Sequence, residues 1–439
     1  GMDDSNKKQV DSEGSVEQGK KGTPISRRDM LKMAGVGGMG LLIGSVGIGG
    51  VLAGTQKGFS SLVGTTNAAG DRIPFYGMNQ AGILTPSQNF LCFASFDLST
   101  TQLSEVVELF KAWTSASALM CSGEPVGTEN TNPKHPPADT GEAVGLSASK
   151  TTITFGVSPS FFDSRFGLSS KKPDGLADLP RFKGDNLRKE WCGGDIGVQV
   201  CSDDLQVAFH AIRNLTRIAR GKAVLRWTQE GFQRTGAAGN PNDTPRNLLG
   251  FKDGTGNPDV NNKQLMNELI WTQSSDGPSW MAGGSYMAVR RIRMRIEVWD
   301  RSTLGDQEAT FGRYRDSGAP LGGKHEFDPL QLDAKGADGQ PQIPMTSHVR
   351  LANSDGKEKI LRRSYSYSSG IDHQTGQLDA GLFFISYQRD LSKQFIPIQQ
   401  RLAMQDKLNE YITHVGSAVF ACFNGVRESG YLGQALFEG

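Results

Sequence analysis

The 439-residue sequence predicts an α+β fold of two similar halves, each an antiparallel sheet with helices in ferredoxin-like order. Three observations predict it. Between residues 89 and 234, apolar runs of strand length and helix-periodic stretches follow one another as strand, helix, two strands, helix, strand. A strand running into Asp-Leu and then a helix occurs at 196–218 and again at 381–402, the mark of an internal duplication at low identity. The 55 glycines suit long irregular connections better than a helical bundle.

Taken in order, residues 3–24 are polar, mixed in charge and aperiodic, the composition of a disordered tail. Ser26-Arg27-Arg28-Asp29-Met30-Leu31-Lys32 then precedes 22 uncharged residues, Met33 to Gly54, of which nine are glycine. A membrane-spanning helix would be richer in Leu, Ile and Val, so residues 1–54 read as a tail plus a twin-arginine export signal. Residues 55–88 read as a linker, 89–245 as the N-terminal half and 246–439 as the C-terminal half.

Asn89–Asp97 is an apolar strand, and Leu103, Val106, Val107, Leu109 and Phe110 mark a helix behind it. Residues 122–148, rich in Pro, Gly and Thr, form a long loop before a strand at Thr151–Val157. Ile196–Cys201 is a strand. Ser202-Asp203-Asp204 then caps a helix whose face carries Leu205, Phe209, Ile212, Leu215 and Ile218, with Gly221 closing it. Residues 222–234 supply the next strand. In the second half the expected elements are a long strand at Ser285–Val298, a helix near 300–312, a loop over 313–345 and an apolar strand at Gly381–Tyr387. A helix with Leu391, Phe395, Ile398 and Leu402 on one face follows, where Pro397 marks a late start or a kink. Val415–Phe423 is the last strand.

With 47 basic and 46 acidic residues, nothing favours nucleic acid or an acidic membrane surface. Cys92, Cys121, Cys192, Cys201 and Cys422 are scattered and odd in number, so they read as buried thiols and not as a disulfide framework or a zinc site.

The chemistry centres on Gly250-Phe251-Lys252-Asp253-Gly254-Thr255-Gly256-Asn257-Pro258. Its glycines permit positive φ and close approach to a flat ligand. Alone it would be an ordinary Asp-Gly turn. Downstream, however, stand His348 in Thr-Ser-His-Val-Arg-Leu-Ala-Asn and Arg362 in Ile-Leu-Arg-Arg-Ser-Tyr-Ser-Tyr. An acid, a histidine and an arginine are the parts of a haem peroxidase. Of the six histidines, His135 and His373 fall in polar loops and His210 and His414 in structural settings. Local context leaves both His348 and His325 open as iron ligands.

Gly250 to Gly254 match the G-x-x-D-G motif of the dye-decolourising peroxidases, and the match continues through Asn257. With His-Val-Arg-Leu-Ala-Asn and Ile-Leu-Arg in order behind it, the chain resembles that family over residues 75–435, in particular its exported branch associated with iron uptake. The resemblance implies one haem b per chain, held mainly by the C-terminal half, with His348 as axial ligand. It assigns the proton shuttle to Asp253 and the distal cation to Arg362 rather than Arg363. Gly254, Thr255 and Gly256 would pass along the haem edge, and Asn257 would help hold peroxide or water. Asn353, Ser354 and Asp355 would contact the haem, and Asp406 would take the second ring proton of His348.

Arg291, Arg293 and Arg295 are then either propionate partners or solvated charges, and Phe383 and Phe384 wall the pocket or belong to the core. Tyr365, Tyr367, Tyr387 and Trp299 are candidate hopping sites for substrates too large to enter. Ala421-Cys422-Phe423-Asn424-Gly425 departs from the family's Pro-Pro-Gly turn. The implied activity is a haem-dependent peroxidase using hydrogen peroxide to oxidise dyes, phenols or ferrous iron, exported folded and linked to iron acquisition. Iron-uptake permease partners and a homo-oligomer are open, and the membrane would be met only through an uncleaved N-terminal segment. The other class is a haem-iron handling protein, a deferrochelatase or a carrier. Replacing Arg27 and Arg28 together by lysine is expected to leave the protein cytoplasmic while it still binds haem. Cell fractionation checks this, and normal export of the double variant would contradict the twin-arginine assignment.

Overall fold

A computed structural model describes residues 71–234 and 243–439. The twin-arginine segment and the first part of the expected linker lie outside the described residues.

The first half runs β1 (Phe90–Leu98), α1 (Leu103–Cys121), β2 (Thr152–Val157), β3 (Ile196–Ser202), α2 (Leu205–Ile218) and β4 (Ala223–Phe232). Both helices form where expected, but on α2 the buried face runs through Val207, Ala208, Ala211, Ile212 and Leu215, while Leu205 and Phe209 of the expected face are exposed. Asp204 caps α2 by accepting from Val207 N at 3.0 Å, while Val106, Leu109, Phe110 and Trp113 of α1 are buried against the sheet. After the short α3 (Lys263–Leu269), the second half runs β5 (Ser285–Met294), α4 (Ile296–Asp300), α5 (Leu304–Phe311) and α6 (His348–Asn353). Then come β6 (Leu361–Arg362), β7 (Tyr365–Asp372), β8 (Gln377–Gln388), α7 (Phe395–Gln405), β9 (Ile412–Cys422) and α8 (Gln434–Glu438).

All ladders between the strands are antiparallel, in the order β4-β1-β3-β2 in the first half and β9-β5-β8-β7 in the second. Each half thus has the same fourth-first-third-second order, which is the ferredoxin-like topology expected from the sequence. The halves join where Gly156 and Val157 pair with Cys422 and Ala421, and where Phe232 pairs with Ser366. Because β5 pairs with both β8 and β9, β1–β5 and β7–β9 close into a barrel, with the short β6 added on β8. Leu91, Phe93, Met287, Val289, Phe383, Ile385, Tyr387 and Phe420 fill one core. Phe420 of the second half lies over two glycines of the first, and a Cβ at Gly197 would stand 2.8 Å from its ring.

Several expectations need correction. Residues 71–88 are folded structure, not linker. Phe75 and Ile83 are buried, and Gln80 donates to Phe155 O and Phe423 O, both at 2.8 Å. Asn79 bridges to Asn424, and Gly425 packs on Gly77 O where no Cβ fits, so the divergent 421–425 turn is fixed by this segment. The strand at 285 ends at Met294, not Val298, because buried Trp299 donates to Leu249 O at 3.0 Å and draws the chain into α4. Pro397 stands in the first turn of α7, where it is tolerated, so it marks a late start.

Arg291 is buried between the rings of Trp191 at 3.9 Å and Tyr367 at 4.3 Å, and pairs with Asp379. Arg293 pairs with Asp372 at 3.0 Å, and Arg295 is exposed and held by Glu410 O. Phe383 lies in the core with Phe93 and Trp227, and Phe384 packs on Phe395. Tyr365, Tyr367, Tyr387 and Trp299 are all buried, so none offers a surface outlet. All five cysteines are free and four are buried. Among the described residues no helix is long and apolar enough to cross a membrane.

Candidate active site

Asp253 sits at the end of a tight hairpin. Asn247 N donates to Phe251 O and Asp253 N donates to Pro245 O, both at 2.9 Å. Gly250 and Gly254 take φ of +86° and +113°, which explains glycine at both places. Phe251 anchors the turn: its ring stacks on Phe311 at 4.3 Å and meets Trp299 at 5.9 Å. The Asp253 carboxylate accepts from Arg362 Nη1 at 2.9 Å. Arg362 is itself clamped through its backbone. Its N–H donates to Asn257 Oδ1 and its carbonyl accepts from Asn257 Nδ2, both at 2.9 Å.

His348 is the first residue of α6, preceded by Ser347 at the N-cap. Gly312 (φ +83°) lets α5 end against this helix, since a Cβ there would overlap Val349. The edge of Phe311 meets the His348 ring at 6.1 Å. His348 Nδ1 and Asp406 Oδ2 are 2.6 Å apart, and Asp406 is held by Leu408 N donating to its other oxygen at 2.9 Å. Among the described residues Nε2 makes no hydrogen bond, so one ring nitrogen is committed and the other is left for a ligand. Burial alone would push the His348 imidazole down, but the Asp406 carboxylate outweighs it and the net shift is up. The ring also feels the Arg362 charge, which lowers it, and the Asp253 charge, which raises it. Acid, arginine and histidine thus belong to one electrostatic site.

Asp253, Gly254, Asn257 and Arg362 line a cavity of about 310 Å³. Most of its lining residues are polar, and they come from both halves, including Pro86, Ser87, Gln233 and Arg234. Gly256 lies along the Arg362 guanidinium, and Thr255 donates to Glu326 at 3.0 Å. Asn353 ends the His348 helix and Ser354 and Asp355 follow it; none of the three lines this cavity. Ser354 takes φ +43°, ψ −119°, a strained backbone of the kind that gathers at functional sites. His325 is exposed, and its backbone is tied to Asp328.

Two residues that sequence reasoning missed sit beside the pair. Glu326, next to the rival His325, reaches Thr255 and lies 3.6 Å from Lys252. Arg313 donates to Gly318 O and Glu326 O; burial first, and then the Arg362 charge, push its guanidinium down. Both are single charges in or beside a long loop, and no periodicity or motif marks them.

Family models for the Dyp-type peroxidase N-terminal and C-terminal domains match residues 80–233 and 244–427. The chain belongs to the Dyp-type peroxidase family. This Dyp-type peroxidase is 39% identical over 426 residues to a protein named deferrochelatase from Yersinia pestis, covering 95% of each chain. It is similar to the crystal structure of a DyP-type peroxidase from Streptomyces coelicolor at TM-score 0.79 and 36% identity, over 85% of this chain and 100% of that one. Ferric DtpA from Streptomyces lividans gives the same TM-score of 0.79, with the same identity (36%) and the same coverage of 85% and 100%.

In the haem-free peroxidase, protonated His348 stabilises the fold, because its folded pKa lies above the ordinary 6.5. That contribution is complete below pH 6.5 and fades as pH rises through the folded value. Asp406→Asn removes the raising charge and leaves burial dominant, so the His348 pKa should drop below 6.5 and the pH dependence should reverse. An NMR titration of the ring protons checks this; a value still above 6.5 would separate Asp406 from the basicity of His348.

Proposed function

We propose that this Dyp-type peroxidase holds one haem b mainly through its C-terminal half, where His348 Nε2 would bind the iron, and reduces hydrogen peroxide with Asp253 and Arg362. The residues fit the group. His348 has one nitrogen fixed by Asp406 and one open, which suits an iron ligand. The Arg362 charge is near enough to help push the Arg313 guanidinium down, and two neighbouring cations suit the carboxylates of haem. The 254–256 strip carries little side chain toward Arg362, leaving room for a flat edge.

The observation that carries the proposal is the Arg362–Asp253 contact of 2.9 Å, facing a polar cavity within electrostatic reach of His348. Haem, when bound, supplies the iron and electrons for splitting the O–O bond. Asp253 takes the proton from the near oxygen of peroxide and delivers it to the far one, while Arg362 offsets the negative charge growing on the departing oxygen. Asn257 keeps Arg362 in place through its backbone, so the guanidinium need not reorganise during reaction.

Cavity size bears on the reductant. About 310 Å³ lies at the lower end for small-molecule pockets, and the lining holds no aromatic side chain. Peroxide and small hydrated reductants, ferrous iron among them, suit it. Bulky dyes and phenols would give up their electrons from outside it. Folded export through the twin-arginine route and a place in iron acquisition complete the proposal. A second reading is release of iron from intact haem, favoured by the name of the 39% identical Yersinia pestis relative. Such release would leave metal-free, fluorescent porphyrin, whereas oxidation leaves the haem intact.

Arg362→Leu is expected to slow the peroxide-dependent change in the haem spectrum by about 10²-fold or more, the loss of one preorganised charge. Asp253→Asn should lose less where water relays the proton, and both variants should keep their haem. Stopped-flow mixing with peroxide measures this; wild-type rates in both variants would remove the pair from the reaction.

A further inference from the structure

One cluster beside the site is not used by the chemistry above. Arg363 lines the cavity next to Arg362 yet is only 3% exposed, and its side chain reaches into the barrel. It donates to Thr85 O at 3.2 Å, Pro86 O at 3.5 Å, Gln88 Oε1 at 2.5 Å and Cys201 Sγ at 3.0 Å. The cation is therefore held without a carboxylate among these partners, and one of them is a thiol.

Two residues further on, Tyr365 is fully buried in the same core as Cys201. Gly231 makes room for it, since a Cβ there would stand 2.7 Å from the Cβ of Tyr365. Gly231 and Cys201 both stand opposite Leu91 of β1, so Tyr365 packs into the row that leads to Cys201, and its buried hydroxyl, near Cys201 and Arg363, makes no hydrogen bond of normal geometry. Tyr387, in the same core, does donate, to Gln199 at 2.9 Å. A buried hydroxyl left unbonded is costly, and here it is left beside a thiol that touches the cavity-lining Arg363.

We propose that Cys201 and Tyr365 are a peroxide-driven cross-linking site, in which Cys201 Sγ bonds to the ring carbon of Tyr365 ortho to its hydroxyl. The proposal rests on the peroxidase function. Tyr365 loses one electron and its phenolic proton, and the sulfur adds to the ring as the S–H proton leaves. Loss of a second electron and the ortho hydrogen as a proton, with return of a proton to the phenol oxygen, restores the aromatic ring. In sum, aryl C–H plus thiol plus H₂O₂ gives a thioether and two waters: the C–H, S–H and O–O bonds break, the C–S bond forms, and peroxide is reduced. Cys201 is 0% exposed, so peroxide cannot meet its sulfur directly, whereas electrons can leave through packed side chains. The pair is thus an internal two-electron outlet for turnover without a reducing substrate.

The test uses the haem-loaded enzyme, treated with hydrogen peroxide without reductant while peroxide loss is followed. After denaturation, free thiols should fall from five to four per chain, with the intact mass lower by two hydrogens and a linked peptide containing Cys201 and Tyr365. Tyr365→Phe and, independently, Cys201→Ser should yield no linked peptide and no loss of hydrogen. Peroxide consumed with all five thiols intact, oxygen added to Cys201 instead, or the same thiol loss in Tyr365→Phe would overturn the cross-link while leaving the peroxidase standing. No peroxide consumed would remove the peroxidase function, and the cross-link with it.

Discussion

The site depends on the stacking of Phe251 on Phe311, with ring centroids 4.3 Å apart. Phe251 belongs to the hairpin that ends in Asp253, and Phe311 ends α5, where its ring edge meets His348. Trp299 packs edge-on against both Phe251 and Phe311. One apolar cluster therefore sets the position of the acid and the histidine together, before any charge is considered. The polar pairs could not do this alone. Arg362 and Asp253 are each about a quarter exposed, and ion pairs of that kind contribute little to holding a structure. Neutral contacts, the stack and the Asn257 clamp, place them instead.

Barrel closure is the second constraint. The first half carries no site motif, yet Pro86, Ser87, Gln233 and Arg234 wall the cavity. They do so because the seams at β2–β9 and β4–β7 bring the two sheets edge to edge. Ser366, which pairs with Phe232 across one seam, also lines the cavity. The first half thus contributes wall residues to the cavity, while Asp253, Asn257 and Arg362 come from the second.

Much of this was legible in the sequence. Strands β1 to β4 followed from apolar runs of strand length, their helices from period-3.6 patterns, and the Asp204 cap from its position before the α2 helix. Asp253, Asn257, His348, Arg362 and Asp406 came from motif resemblance, and the geometry joins Asp253 and Asn257 to Arg362, and His348 to Asp406. Residues 71–88 were not legible, because Phe75, Gln80 and Ile83 are buried by irregular loop packing with no periodicity. The alternating arginines of β5 misled for another reason: alternation shows which face a side chain shares, not whether Trp191 and Tyr367 cover it. His325 drew attention to the right loop for the wrong residue, since its neighbour Glu326 reaches the site.

The central proposal is that His348, fixed by Asp406, would hold the iron of a haem on which Asp253 and Arg362 would handle peroxide. The most direct measurement is the haem content and absorption spectrum of His348→Ala beside His325→Ala, each reconstituted with haem. His348→Ala should lose most of its haem or show an exchanged ligand, while His325→Ala should match the wild type. Full haem content with an unchanged spectrum in His348→Ala, or loss in His325→Ala, would contradict it.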